Sequence, residues 1–220
     1  MIVYGRRAVE EARRGRRRVL RTWTAEDVCA EELERLCGSP DHQGVCAEVE
    51  PYPYADPDGL LAAEDALVVA LDQVQDPRNL GAVCRVAEGA GCAGVVVPER
   101  RAVEVTPSVC SASAGAVEHL AVARVRNLAD WLGRAKERGA WVYGANAGAE
   151  TAWSEPDWRG RAVLVLGSEG RGLRPRVAAS CDALVALPQR GQVASLNVSA
   201  AAAALVYGIL HLREGVDRAP

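Results

Sequence analysis

The sequence predicts an α/β fold, a mainly parallel sheet with helices on both faces, preceded by a small, shortened α/β module. Two observations carry this. From Ala66 onward, short apolar runs at Leu67 to Leu71, Gly94 to Val97, Ala140 to Tyr143, Ala162 to Leu166 and Ala183 to Leu187 have the length and continuity of strands buried on both faces. Between them lie helical spacings, clearest at Leu128, Trp131, Leu132 and Ala135, which give one apolar face on a helix ending near Gly139. Such alternation builds a parallel sheet covered on both sides, in which ligands collect beyond the carboxyl ends of the strands.

The first 50 residues carry a denser pattern. Ala8 to Ala12 suggests a short helix, Val19 to Trp23 a strand, Ala30 to Leu36 a second helix and Gly44 to Val49 a second strand. Pro51, Pro53 and Pro57 then disfavour regular structure, so residues 51–65 read as a linker between a module at 1–50 and a main domain at 66–213. The last segment, Leu196 to Leu212, contains the run Ala200 to Ala204 followed by Leu205, Val206, Ile209 and Leu210. A helix apolar around most of its circumference must lie in the core or against another subunit.

Composition excludes several classes. The chain is 49% hydrophobic, yet no uninterrupted apolar run reaches the ~18 residues of a membrane span. Arg6 and Arg7 precede no apolar stretch, so no secretory signal is expected and the chain is expected in the cytoplasm. Seven cysteines without a C-x-x-C pair read as reduced thiols packed as small hydrophobes. His42, His119 and His211 are widely separated, and no metal is expected. The net charge of -3 shows no overall basic surplus, but residues 1–21 hold eight arginines against only Glu10 and Glu11. Lys136 is the only lysine, and arginine forks suit phosphate better than point charges do. A solvated helix face is the competing reading of that run.

Three polar clusters each follow an apolar run. The first is Asp76-Pro77-Arg78-Asn79-Leu80-Gly81-Ala82, continuing to Cys84 and Arg85, with Asn79 where a helix begins. The second is Gly167-Ser168-Glu169-Gly170-Arg171-Gly172, whose glycines permit sharp turns around a central carboxylate. Its spacing fits neither phosphate-loop pattern, and a glutamate in a phosphate cradle would repel the ligand. The third joins Leu187 to the last helix through Ser195-Leu196-Asn197-Val198-Ser199. Taken singly, each cluster is explained as well by helix capping or a surface turn.

Together and in this order, the clusters closely resemble the SpoU branch of the SPOUT methyltransferases. That branch carries an N-x-G-A-x-x-R segment, a G-x-E-G-x-G loop and an S-L-N-V-S segment opening the last helix, matched here by Asn79 to Arg85, Gly167 to Gly172 and Ser195 to Ser199. Upstream, Tyr4-Gly5, Ala8, Val9, Ala12 and Asp41-His42-Gln43-Gly44-Val45 resemble the small RNA-binding domain of members acting on large-subunit ribosomal RNA, with about one helix and one strand missing between Asp27 and Asp41.

The resemblance implies transfer of a methyl group from S-adenosylmethionine to a ribose 2'-hydroxyl of RNA, a C-terminal trefoil knot and a homodimer, with no membrane or metal involved. It implies catalytic roles for Asn79, Arg85, Glu169, Ser195 and Asn197, and cofactor contacts at Gly167, Leu187, Leu196, Leu166, Gly170 and Asn146. RNA contacts are expected at Arg6, Arg7, Arg13, Arg14, His42 and Gln43. A guanosine of large-subunit ribosomal RNA is the expected substrate, with transfer RNA as the alternative. A noncatalytic RNA-binding protein of the same fold, or a nucleotide-dependent enzyme, are the rivals from other classes.

Overall fold

The computed structural model describes residues 1–193 and 195–216. The N-terminal module runs β1 (Ile2–Tyr4), α1 (Arg6–Arg14), β2 (Val19–Thr24), α2 (Ala30–Cys37) and β3 (Val45–Val49). Its three strands form an antiparallel sheet in the order β1-β3-β2. The stretch between Asp27 and Asp41, where the resemblance implies a missing helix and strand, holds α2 alone.

The larger unit runs β4 (Leu67–Asp72), α3 (Pro77–Gly89), β5 (Gly94–Pro98), α4 (Pro107–Ala112), β6 (Val122–Val125), α5 (Leu128–Glu137), β7 (Trp141–Ala145), β8 (Thr151–Ala152), β9 (Ala162–Gly167), α6 (Pro175–Ser180), β10 (Ala183–Ala186) and α7 (Val198–Val216). The seven strands are parallel in the order β6-β5-β4-β9-β7-β10-β8. Late strands therefore enter the middle of the sheet: β9 lies between β4 and β7, and β10 returns to the far side of β7.

Every side chain of β4 and β5 is buried, so strand faces that would alternate in an antiparallel sheet here read as continuous apolar runs. One face packs Leu71, Leu164 and Leu166 under α3 and α7, and the other packs Val68, Val163 and Val165 under α5. Gly81 has a packing reason. A Cβ there would lie 2.6 Å from the Cβ of Ala112, so only glycine lets α3 and α4 touch at that point. Burial pushes the thiols of Cys84 and Cys110 up to about 12, which leaves them as inert core atoms.

Residues 51–65 are bound along much of their length. Tyr52, Leu60 and Leu61 are buried, Ala55 pairs with Ala123 at the sheet edge, and Gly59–Leu61 forms a 3₁₀ turn. The module docks on the larger unit through α1 and β1, and one hydrophobic cluster runs from Val3, Ala8 and Val9 to Leu80 and Cys110.

At this junction Arg17, grouped by sequence with the arginines of the first helix, is buried against Glu118; the two side chains are 1% and 0% exposed. Arg17 Nε donates to Glu118 Oε2 at 2.9 Å, its Nη2 donates to Oε1, and its Nη1 donates to the Glu50 carbonyl at 3.2 Å. Burial alone would lower the Arg17 pKa, and the bonded Glu118 carboxylate reverses this, holding it above its ordinary value. Arg16 is also taken up, donating to the Leu120 carbonyl at 2.5 Å. Glu118→Ala would leave a buried cation unpaired and should cost about 3–5 kcal/mol, read as a lower urea midpoint. Arg17→Met combined with Glu118→Leu should recover most of that loss.

Candidate active site

The loop after β4 begins with a helix cap, and the cap is Asp76. Its carboxylate accepts the Arg78 backbone N–H at 2.8 Å, and Pro77 opens α3. Asn79 is thereby relieved of the capping role its position suggests. The Arg78 guanidinium, bonded to Asp76, holds that carboxyl below its ordinary pKa.

At the start of α7, Asn197 Oδ1 accepts the Ser199 backbone N–H at 2.8 Å and the Ser199 hydroxyl at 2.6 Å. Because a backbone N–H can only donate, it fixes which way the Asn197 amide faces. Asn197 Nδ2 then points at Asn79 Oδ1, at 3.1 Å, and at Glu169 Oε1. Asn79 Nδ2 donates to the same Glu169 oxygen at 2.9 Å. Two amides from two helix starts thus converge on one carboxylate oxygen and leave Glu169 Oε2 open. Capping and site-building are a single arrangement of Asn197.

Glu169 is presented by the loop after β9, which closes on itself. Gly172 N donates to the Ser168 carbonyl at 2.9 Å, and a Cβ on Gly167 would stand 2.1 Å from the Gly172 carbonyl carbon. The far end is tied to β4. Arg174 donates its backbone N–H to Asp72 Oδ2 at 2.8 Å and its Nε to Oδ1 at 2.7 Å, and the Asp72 side chain is fully buried.

Between this loop, β10 and α7 lies a cavity of about 370 Å³. All six positions expected to contact a cofactor line it: Asn146, Leu166, Gly167, Gly170, Leu187 and Leu196, joined by Glu169 and Ser195. Ala145, Val185, Ala201 and Leu205 also line it. No sequence signal separates those small apolar residues from ordinary core. A second cavity of about 350 Å³ adjoins the first and shares Ser168, Glu169, Arg171 and Val198 with it.

Arg85 is not brought into this cluster. It lies six residues beyond Asn79 on α3, or about 9 Å along the axis. It is exposed, lines neither cavity and has no side-chain partner among the described residues. The positions expected to contact RNA sit on the N-terminal module and line neither cavity. Several are engaged locally: Arg6 Nε donates to the Gln43 carbonyl at 3.2 Å and its backbone N–H to Gln43 Oε1 at 3.1 Å, His42 Nδ1 accepts Gly44 N, Arg13 donates to Thr22, and Arg14 pairs with Glu10 at 2.8 Å. Arg7 is exposed and unbonded among the described residues. On α7, Ala200, Ala204, Tyr207 and His211 are exposed and share one stripe. Among the described residues no cluster of His, Cys, Asp and Glu could hold a metal ion, and no helix is long and apolar enough to cross a membrane.

Comparison with known proteins places this geometry. YacO of Bacillus subtilis, whose name assigns it to the TrmH family of tRNA/rRNA methyltransferases, is 38% identical over 97% of this chain and 96% of its own length. The crystal structure of the SpoU methyltransferase AviRb from Streptomyces viridochromogenes in complex with the cofactor AdoMet superposes with a TM-score of 0.82 at 25% identity, covering 97% of this chain and 90% of that one. The crystal structure of an RNA 2'-O ribose methyltransferase gives a TM-score of 0.83 at 25% identity, over 97% and 89% of the two chains. Residues 66–207 match the SpoU rRNA Methylase family, and with the three polar segments meeting around Glu169 the chain belongs to that family.

Proposed function

We propose that this protein transfers a methyl group from S-adenosylmethionine to a ribose 2'-hydroxyl of structured RNA. The observation that carries the reading is the convergence of Asn79 and Asn197 on Glu169 at the wall shared by two cavities. A two-substrate transfer needs adjacent sites with an orienting group between them. The similarity to a cofactor-bound SpoU enzyme and to a 2'-O ribose methyltransferase supports the same reading.

The first cavity suits this cofactor chemically. Leu166, Val185, Leu187 and Leu205 give it apolar walls, Gly167 brings backbone to the wall without a side chain, and Glu169 supplies negative charge beside a cationic ligand. When bound, S-adenosylmethionine supplies an electrophilic methyl group on a sulfonium. The chain's own residues do the rest. Asn79 and Asn197 hold the carboxylate, and Glu169 Oε2 accepts the hydrogen bond of the ribose hydroxyl and orients its oxygen. Ser195 lines the cavity at the turn into α7 and fixes that loop.

Arg85, with a pKa above about 12, is a reluctant base. In this proposal its exposed guanidinium binds the phosphate next to the target ribose and stabilises alkoxide charge as it develops, while the proton passes to that phosphate or to water. Residues 1–50 form the RNA-selecting module and residues 66–213 the catalytic domain, knotted where β9 and β10 enter the sheet. Two chains pair along the exposed stripe of Ala200, Ala204 and Tyr207. Ribosomal RNA, and within it a large-subunit guanosine, is the favoured substrate. Transfer RNA stands second, because the name of the Bacillus subtilis relative covers both. Mapping 2'-O-methylation in cells lacking the protein, which are expected to lose one ribosomal site in the cytoplasm, tests this choice.

Gly167→Ala should weaken binding of S-adenosylhomocysteine by roughly tenfold to a hundredfold in calorimetry, matching an overpacking cost of about 1–3 kcal/mol. Arg85→Lys should keep RNA affinity yet lower single-turnover methylation by about 10²-fold, as expected when a charge-stabilising group is misplaced. Full turnover in that variant would remove Arg85 from the chemistry.

A further inference from the structure

The second cavity lies in the angle between the β4–α3 loop and the Glu169 wall. Three of its lining residues, Gln73, Gln75 and Asp76, come from that loop at the carboxyl end of β4. Gln73 is held at φ 61, a left-handed conformation that a non-glycine residue adopts at a cost. Neighbours impose it. Val74 accepts Val103 N at 3.0 Å, and Gln75 Nε2 donates to the carbonyl of Arg101, itself at φ 59, at 3.4 Å.

A ledger of free groups specifies the ligand. Asp76 is occupied, with both carboxylate oxygens bonded to Arg78. Gln75 has committed a donor to Arg101, which leaves its Oε1 to accept. Gln73 has no side-chain bond among the described residues, so it offers one amide donor face and one acceptor. Arg171, on the wall shared with the first cavity, is exposed and without a carboxylate partner among the described residues. Glu169 Oε2 is open on the same wall. The cavity thus offers a cation for a phosphate, an acceptor for a ribose hydroxyl, and an edge of one donor and two acceptors.

That edge discriminates among bases. Guanine presents one acceptor, O6, beside two donors, N1–H and the 2-amino group, which is its complement. Uracil presents one donor between two acceptors, cytosine one donor beside two acceptors, and adenine one donor beside one acceptor. We propose that the second cavity receives the target nucleotide extruded from its RNA, with Gln73 facing O6 and N1–H of a guanine, Gln75 accepting from the 2-amino group, and Arg171 holding the phosphate. Gln73 and Gln75 are thereby specificity-determining residues. This rests on the methyltransferase reading above and assigns the acceptor side of that site.

The test uses the full chain saturated with S-adenosylhomocysteine and titrated with nucleoside 5'-monophosphates under ligand-observed NMR. GMP should bind more tightly than AMP, CMP or UMP. Gln75→Ala should weaken GMP about fivefold, the scale of one lost hydrogen bond. IMP, which lacks the 2-amino group, should bind the unaltered chain as weakly as GMP binds Gln75→Ala, and Gln75→Ala should not weaken IMP further. Gln73→Asn, which tolerates the left-handed backbone but shortens the reach, should lower the preference for GMP over UMP, with S-adenosylhomocysteine affinity unchanged in calorimetry. Equal binding of all four nucleotides, loss of all four alike in the variants, or no binding beside a retained S-adenosylhomocysteine site would overturn the assignment. If S-adenosylhomocysteine itself fails to bind, the methyltransferase reading falls first and this assignment with it.

Discussion

The buried carboxylate of Asp72 is the fixed point of the catalytic end of the molecule. It closes β4 where that strand pairs with β9, opposite Gly167, and receives both the backbone and the side chain of Arg174. A charge removed from water is stable only when its hydrogen bonds are met, so the two loops it joins cannot move independently. The loop from Gln73 to Asp76 leaves from one side of this anchor, and the loop carrying Glu169 is closed by the other. The contact between Asn79 and Glu169 follows from that geometry more than from any strength of its own. It is an exposed, neutral–charged bond, and such bonds hold position only when both partners are already placed.

How much of this was legible follows from burial. β4, β5, β7 and β9 announce themselves, because strands covered on both faces need apolar residues at nearly every position. β1, β6 and β8 are short or contain a polar residue, and α4 and α6 have six residues each, so none produces a period long enough to read. Strand order was not legible at all, since nothing in Ala162 to Leu166 states that it slots between β4 and β7.

The site divides in the same way. Asn79, Glu169 and Asn197 could be picked out because polar residues at fixed spacing have no reason to follow apolar strands, whereas the apolar wall of Val185, Ala201 and Leu205 looks like any core. Charge counting was misled at Arg16 and Arg17. A formal charge says nothing of its partner, and Glu118 lies 101 residues away. Two of the eight arginines of the first 21 residues therefore serve the junction between units, and the basic surface available to a polyanion is smaller than composition suggests.

The position of β9 also governs how the molecule can be made. β7 hydrogen-bonds only to β9 and β10, so nothing in the sheet holds it beside β4 until residues 162–167 have emerged. A chain leaving the ribosome must keep two open strand edges apart, and free of neighbouring chains, for the time it takes to synthesise the segment that joins them. The same late insertion that completes the floor beneath Glu169 makes the nascent protein dependent on its last third.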